Sequence, residues 1–157
     1  MKFNYGNVNI EVIIVLKKIP VVIFLVFLIM SSTLVHAAGF KYVEIFDPKQ
    51  AKVVKVVQLN TEINAMVSTW IKDIDAIYGK NNPVTEDGYA IKVPLDPAVK
   101  IQGKWLNTLV NEVYIILPKN DPPFFMIFEN KDKLSCFPFK GDIKTLSKVL
   151  DFNLKAK

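Results

Sequence analysis

The chain has 157 residues, a formal net charge of +5 and a hydrophobic content of 51%, which suits one globular domain. All 20 basic residues are lysines spread along the chain, so it lacks the arginine forks and clustered charge of nucleic-acid readers, and we expect no nucleic-acid partner. The single cysteine, Cys136, excludes an intramolecular disulfide, a CxxC redox pair and thiolate zinc sites.

An apolar segment preceded by two lysines lies near the N-terminus. Lys17-Lys18 is followed by an uncharged run over residues 19–30 and then by small and polar residues. This is the pattern of a secretory signal peptide. Val35 and Ala37 supply the small side chains that signal peptidase needs, so we predict cleavage after Ala37, with cleavage after Ala38 as the alternative.

The signal divides the chain into two parts. We predict a signal peptide at residues 1–37, with a true translation start near residues 15–16, and a single exported domain at residues 38–157. The absence of a disulfide favours a bacterial extracytoplasmic or secreted protein. If the signal is retained, residues 19–38 are long enough to anchor the protein in a membrane. Otherwise we expect only transient membrane contact through this segment, or weak contact through lysine charge.

Cleavage would also remove His36, the single histidine. The mature domain would then lack Ser-His-Asp and Cys-His nucleophile pairs and every zinc site that needs imidazole. Its glycines are scattered singly, so it has no phosphate-binding loop. We therefore predict no cofactor and no metal.

The mature chain alternates between apolar patterns and turn signals. In chain order these patterns predict strands at residues 40–46 and 53–58, a long helix at 61–78, a strand at 89–93, a loop at 96–103, strands at 109–117, 124–128 and 134–139, and a short helix at 143–150. Asn60 or Thr61 is the predicted cap of the long amphipathic helix, and Gly79 its end. Pro138 indicates that the last strand lies at an edge.

This order predicts an α+β fold, in which one long amphipathic helix packs on an antiparallel sheet of about four to six strands, with a short C-terminal helix. The layout resembles that of cystatin-like or PepSY-like small domains, where a sheet curls around one helix. The resemblance concerns element order and implies no function.

Two strands are apolar without alternation, at residues 113–117 and 124–128. Strands buried on one face alternate, so both faces at the centre of the sheet should be covered. The long helix would cover one face and the terminal helix the other; the alternative covers are a partner protein, a second copy or an apolar ligand.

Four residues are candidates for contact with a partner. Trp105 follows Lys104 in a predicted loop, and tryptophan is enriched at binding surfaces. Phe124 and Phe125 follow a rigid Pro122-Pro123 turn. The structural alternatives are that Trp105 closes one end of the sheet and that the phenylalanines begin a central strand.

The remaining candidates for catalysis are carboxylates. Asp73 with Asp75 and Glu86 with Asp87 are close in sequence, but residues two apart on a helix do not share a face, and the second pair has the pattern of a turn. We therefore predict a non-enzymatic exported binding domain at the cell envelope or outside the cell, such as an inhibitor or accessory protein that contacts another envelope protein or itself. The alternatives are a carboxylate-dependent hydrolase of cell-wall polymer and a membrane-anchored structural protein.

Overall fold

The computed structural model describes residues 39–79, 86–129 and 133–154. They belong to one compact unit that begins at Gly39. The predicted signal peptide and the cleavage positions Ala37 and Ala38 lie outside the described residues. Within those described ranges, we find no helix with the length and apolar character needed to cross a membrane.

The described residues form an antiparallel sheet and two helices, which confirms the predicted α+β class. The elements are β1 (Tyr42–Asp47), β2 (Lys52–Gln58), α1 (Thr61–Lys72), β3 (Gly88–Gln102), β4 (Asn107–Pro118), β5 (Phe124–Glu129), β6 (Lys133–Pro138) and α2 (Ile143–Val149). The spatial order of the strands is β2-β1-β3-β4-β5-β6. The last four strands are a meander, and β6 lies at an edge, as Pro138 indicated.

One row of side chains across the sheet shows where the core lies. Ile45, Ile91, Ile115, Phe125 and Phe137 lie opposite one another in five successive strands, and none is more than 1% exposed. Because side chains alternate along a strand, the residues between them point to the other face. The helices pack over this row, and α1 contributes the buried residues Ile63, Val67 and Ile71.

Helix α1 is shorter than its sequence pattern predicts. It begins after Asn60, whose side chain accepts a hydrogen bond from the Ile63 amide at 2.8 Å, but it ends at Lys72 rather than near Gly79. The prediction was wrong because tertiary contacts outweigh periodicity here. The Tyr78 amide donates to the Cys136 carbonyl at 2.8 Å, so the chain must leave the helix axis to reach β6.

The predicted loop at residues 96–103 is also wrong. Strand β3 continues to Gln102, with an irregularity between Pro94 and Val99. Asn64 on α1 satisfies the bulged backbone: its side chain donates to the Asp96 carbonyl at 2.9 Å and accepts from the Asp96 amide at 3.0 Å. Lys41 donates to the Leu95 carbonyl at 3.1 Å. These side chains replace strand partners that the bulge removes.

Both helices pack on the same face of the sheet. Leu146 and Leu150 of the α2 region belong to the same buried cluster as Val67 and Ile71 of α1. Lys55, which lies opposite Ile45 on the core side, pairs with Asp151 just after α2 at 3.4 Å. The expectation that the terminal helix covers the second face is therefore wrong. We call that second face, formed by the outward side chains of the six strands, the open face.

Candidate functional site

The open face carries most of the large apolar side chains that the described residues expose. Alternation from the core row places two aromatic side chains of β1 and one of β5 on it, together with aliphatic side chains of β2 and β6. These residues and their exposed fractions are Tyr42 46%, Phe46 38%, Val53 45%, Val56 53%, Phe128 49% and Leu134 39%. They form two apolar margins, one along β1 and β2 and the other along β5 and β6.

A polar network separates the two margins. The Tyr114 hydroxyl donates to Glu112 Oε1 at 2.6 Å, and Lys92 Nζ lies 3.4 Å from Glu112 Oε2. Glu44 lies opposite Lys92 on the neighbouring strand. Burial, then the hydrogen bond from Tyr114 to Glu112, raises the pKa of Tyr114 to about 12. Both oxygens of Glu112 are thus engaged, and Tyr114 stays a neutral phenol over the physiological range.

One end of the open face is covered by the chain itself. The ring of Tyr78 stacks on Phe124 with the ring centres 4.6 Å apart, and Phe124 and the neighbouring Ile116 are each 3% exposed. These two buried residues account for part of the continuous apolar pattern seen in the sequence. The segment after α1 provides the cover that the sequence assigned to the terminal helix.

Cys136 also lies on the open face, opposite Met126. Burial raises the pKa of its thiol, which keeps it protonated and weakly nucleophilic. A reactive thiolate has no physical support at this position. We assign Cys136 a packing role.

Trp105 and Lys104 lie in the short turn between β3 and β4, away from the two phenylalanines. Lys104 Nζ is 4.6 Å from the centre of the Trp105 ring, a cation–π contact. Trp105 is 39% exposed, whereas Leu106 beside it is 2% exposed. Leu106, not Trp105, therefore closes this end of the core, and Trp105 remains accessible to a partner.

The structure separates Phe124 from Phe125. Phe124 lies under Tyr78 on the open face, and Phe125 is 1% exposed in the core row. Its ring packs edge-on against Phe139 at 5.0 Å. The prediction that Phe124 and Phe125 present their side chains to a partner is wrong: the ring of Tyr78 covers Phe124, and β5 directs the Phe125 side chain towards the helices.

Sequence reasoning did not select the residues of the two apolar margins. The signal was present in part: the continuous apolar run at residues 124–128 includes Phe128, and the run of valines in β2 includes Val53 and Val56. The sequence does not reveal the strand order, which places β1 and β2 at one side of the sheet and β5 and β6 at the other and so creates the two apolar margins.

The carboxylates are held by lysines rather than gathered in a cleft. Asp75 pairs with Lys140 at 2.6 Å, and Asp87 lies 4.0 Å from Lys49. A groove beside α2 is lined by two lysines and a single carboxylate, that of Asp151, whereas glycoside hydrolysis needs two. Among the residues that the structure describes, no cluster of three histidine, cysteine or acidic side chains could hold a metal ion.

Comparison of the chain with protein-family models, with curated proteins and with solved structures gives no match. The likeness to cystatin-like and PepSY-like domains therefore remains one of element order.

Proposed function

We propose that the protein is a small exported, non-enzymatic binding domain that takes a protein partner on the open face. The observation that carries this proposal is the location of six partly exposed apolar and aromatic side chains on the one face that neither helix covers. Exposed clusters of apolar and aromatic side chains mark interaction sites on soluble proteins, and on the open face two such clusters lie on either side of a polar network. Export rests on the signal pattern of residues 17–38.

The size of the open face suits a protein partner. Six strands about 4.8 Å apart, each about 20 Å long, give a plane on the order of 500 Å² before side-chain relief is counted. Standard interfaces bury about 800 Å² on each partner. If the partner also reaches the β3–β4 turn, the exposed ring of Trp105 would add to this area.

The side chains of the open face indicate which kind of partner it can bind. Its margins favour aromatic and aliphatic side chains, which dominate the centres of interfaces. Between the margins, Glu44, Lys92 and Glu112 would require polar groups that satisfy a mixed set of charges. An apolar ligand without such groups would leave these charges desolvated. A folded envelope protein with a mixed surface fits better than a lipid.

A site-specific crosslink tests this proposal. Benzoylphenylalanine would replace either Phe128, on the open face, or Ala65, on the exposed side of α1, in the tagged protein expressed in its own cells. We expect a protein crosslinked at position 128, none at position 65, and loss of the crosslink when Leu134→Lys places a charge beside it. Equal labelling at both positions, or a crosslink unaffected by Leu134→Lys, would refute the open face as the binding surface.

The same preparation tests export. Mass spectrometry of the N-terminus should give a mature chain that begins at Ala38, or at Gly39 if cleavage follows Ala38. An intact N-terminus in the membrane fraction would instead support the anchored alternative.

A further inference from the structure

The two edge strands of the sheet, β6 and β2, differ in whether their outward backbone groups have hydrogen-bond partners. At β6 the Tyr78 amide donates to the Cys136 carbonyl, and Pro138 has no amide to offer. Strand β2 pairs only with β1 in the described part of the chain. Natural sheets usually protect such edges, because an unpaired strand accepts another strand.

The direction of the backbone groups along β2 follows from its register. The Leu59 amide donates to the Lys41 carbonyl at 2.8 Å, and Val57 and Lys55 follow it at alternate positions opposite β1. In an antiparallel ladder, alternate residues direct their amide and carbonyl groups to opposite sides. The amides and carbonyls of Val56 and Gln58 therefore point away from the sheet.

The side chains of β2 suit a further strand. Four of its seven residues are valines, which favour extended pairing. Of its two lysines, Lys55 is turned towards Asp151, with 3.4 Å between Nζ and Oδ2, and does not lie across the edge. The bulge in the β1–β2 ladder falls near Val54 and leaves residues 55–58 in regular register.

We propose that β2 pairs antiparallel with β2 of a second copy, about a two-fold axis at Val56. This register sets Val56 opposite its counterpart, Gln58 opposite Val54 and Lys55 opposite Val57. A register centred on Lys55 would oppose the two lysines, which is unfavourable, and one centred on Val57 would pair only three residues. The interface is isologous, as in most homodimers.

The dimer accounts for the exposure of Val56. Its side chain, which is 53% exposed, would pack against Val56 of the second copy. The two-fold axis is perpendicular to the sheet, so both open faces lie on the same side and join into one surface of twelve strands, with the helices on the other side. The proposal goes beyond the open-face function and does not depend on it.

The test is the molar mass of the purified protein over about a hundredfold range of concentration, measured by sedimentation equilibrium. We expect a dimer that dissociates on dilution. Val56→Pro removes the outward amide while keeping the β1 ladder, since proline is tolerated on the solvent side of an edge strand. It should weaken dimerisation at least about tenfold, with an unchanged circular dichroism spectrum.

Two further variants at position 56 separate the loss of dimerisation from a failure to fold. Val56→Thr retains the amide and a β-branched side chain and should remain dimeric. Val56→Lys, which brings two charges together at the axis, should be monomeric even if the proline variant fails to fold.

Three outcomes would overturn the proposal. A wild-type protein that is monomeric at every concentration excludes the dimer but leaves the crosslink at position 128 as an independent test of the open face. A dimer that persists in both the proline and lysine variants excludes the β2 edge. A dimer lost in Leu134→Lys but kept in Val56→Pro would place the second copy on the open face instead.

Discussion

Among the residues that the structure describes, Tyr114 shows a large shift of its pKa on folding. Its hydroxyl donates to Glu112, and partial burial together with the charges of Glu112 and Glu44 raises the pKa of the phenol to about 12 from the usual 10.0. The folded state therefore favours the neutral phenol more than the unfolded state does. This contribution to stability is fully present below pH 10 and is lost as the pH rises towards 12.

We predict that the free energy of unfolding falls between pH 10 and about 12, and that Tyr114→Phe removes much of this fall because it deletes the titrating group. Urea denaturation at a series of alkaline pH values measures it. Tyr42→Phe is the matched control, since Tyr42 is an exposed phenol on the same face. An identical pH dependence in the wild type and in Tyr114→Phe would contradict the prediction.

At the scale of elements, the bulge in β3 depends on a side chain from α1. Asn64 makes two hydrogen bonds with the backbone of Asp96, and these join the helix to the sheet at the position where the pairing of β3 with β4 is interrupted. Beyond the bulge the β3–β4 hairpin continues to its turn at Trp105. One side-chain amide thus connects helix α1 to the irregular part of the longest strand.

We predict that Asn64→Ala lowers the free energy of unfolding by about 1 kcal/mol, because it removes two solvent-exposed hydrogen bonds to the Asp96 backbone and a typical hydrogen bond contributes about 0.5–1.5 kcal/mol net. Asn111→Ala, at an exposed position of β4, should change it by less than about 0.5 kcal/mol, as is usual for surface substitutions. Chemical denaturation measures both. Equal effects would show that the Asn64 bonds do not stabilise the bulge.

The positions of most helices and strands were predictable from the sequence, whereas the contacts between them were not. The positions of β1, β2, β5, β6 and α2 follow from local patterns and turn residues. The end of α1 and the continuation of β3 do not, because a bond from Tyr78 to β6 and two bonds from Asn64 to Asp96 decide them. The candidate site shows the same limit. Trp105, a candidate for partner contact, is 39% exposed, and its role in binding stays a prediction. The open face depends on strand order and on which face α2 covers, and neither follows from the sequence.

At the scale of the whole molecule, carboxylates bind lysine or serine side chains of other segments. Some of these segments are distant in sequence, and others are neighbouring strands joined by a turn. Asp75 reaches Lys140 beyond β6, and Glu129 at the end of β5 accepts from Ser135 and pairs with Lys133 on β6. The hydrogen bond from Lys140 lowers the pKa of Asp75, and that from Ser135 lowers the pKa of Glu129. The folded state therefore favours both carboxylates in their charged form.

We predict that stability falls as the pH decreases from about 4.5, the ordinary pKa of a glutamate. A carboxyl group whose pKa is lowered by folding stabilises the protein above its ordinary pKa, and this stabilisation is lost as the pH falls through the folded value. Thermal unfolding between pH 7 and about 3 tests this. Glu129→Gln should flatten the curve, whereas Glu86→Gln, at an exposed position, should leave its shape unchanged. A curve that is flat in the wild type would be inconsistent with the lowered pKa values.

Because both helices pack on one side of the sheet and the Tyr78 segment covers only one end of the other side, the margins of the open face stay hydrated in the isolated fold. The heat capacity of unfolding depends on newly hydrated apolar surface and is about 12–15 cal/mol/K per residue for ordinary domains. This domain should lie below that range, with a correspondingly flat dependence of stability on temperature. Binding of a partner to the open face or to the β2 edge would bury this apolar surface and should give a negative heat-capacity change of binding. Titration calorimetry at several temperatures would therefore detect binding whatever the identity of the partner.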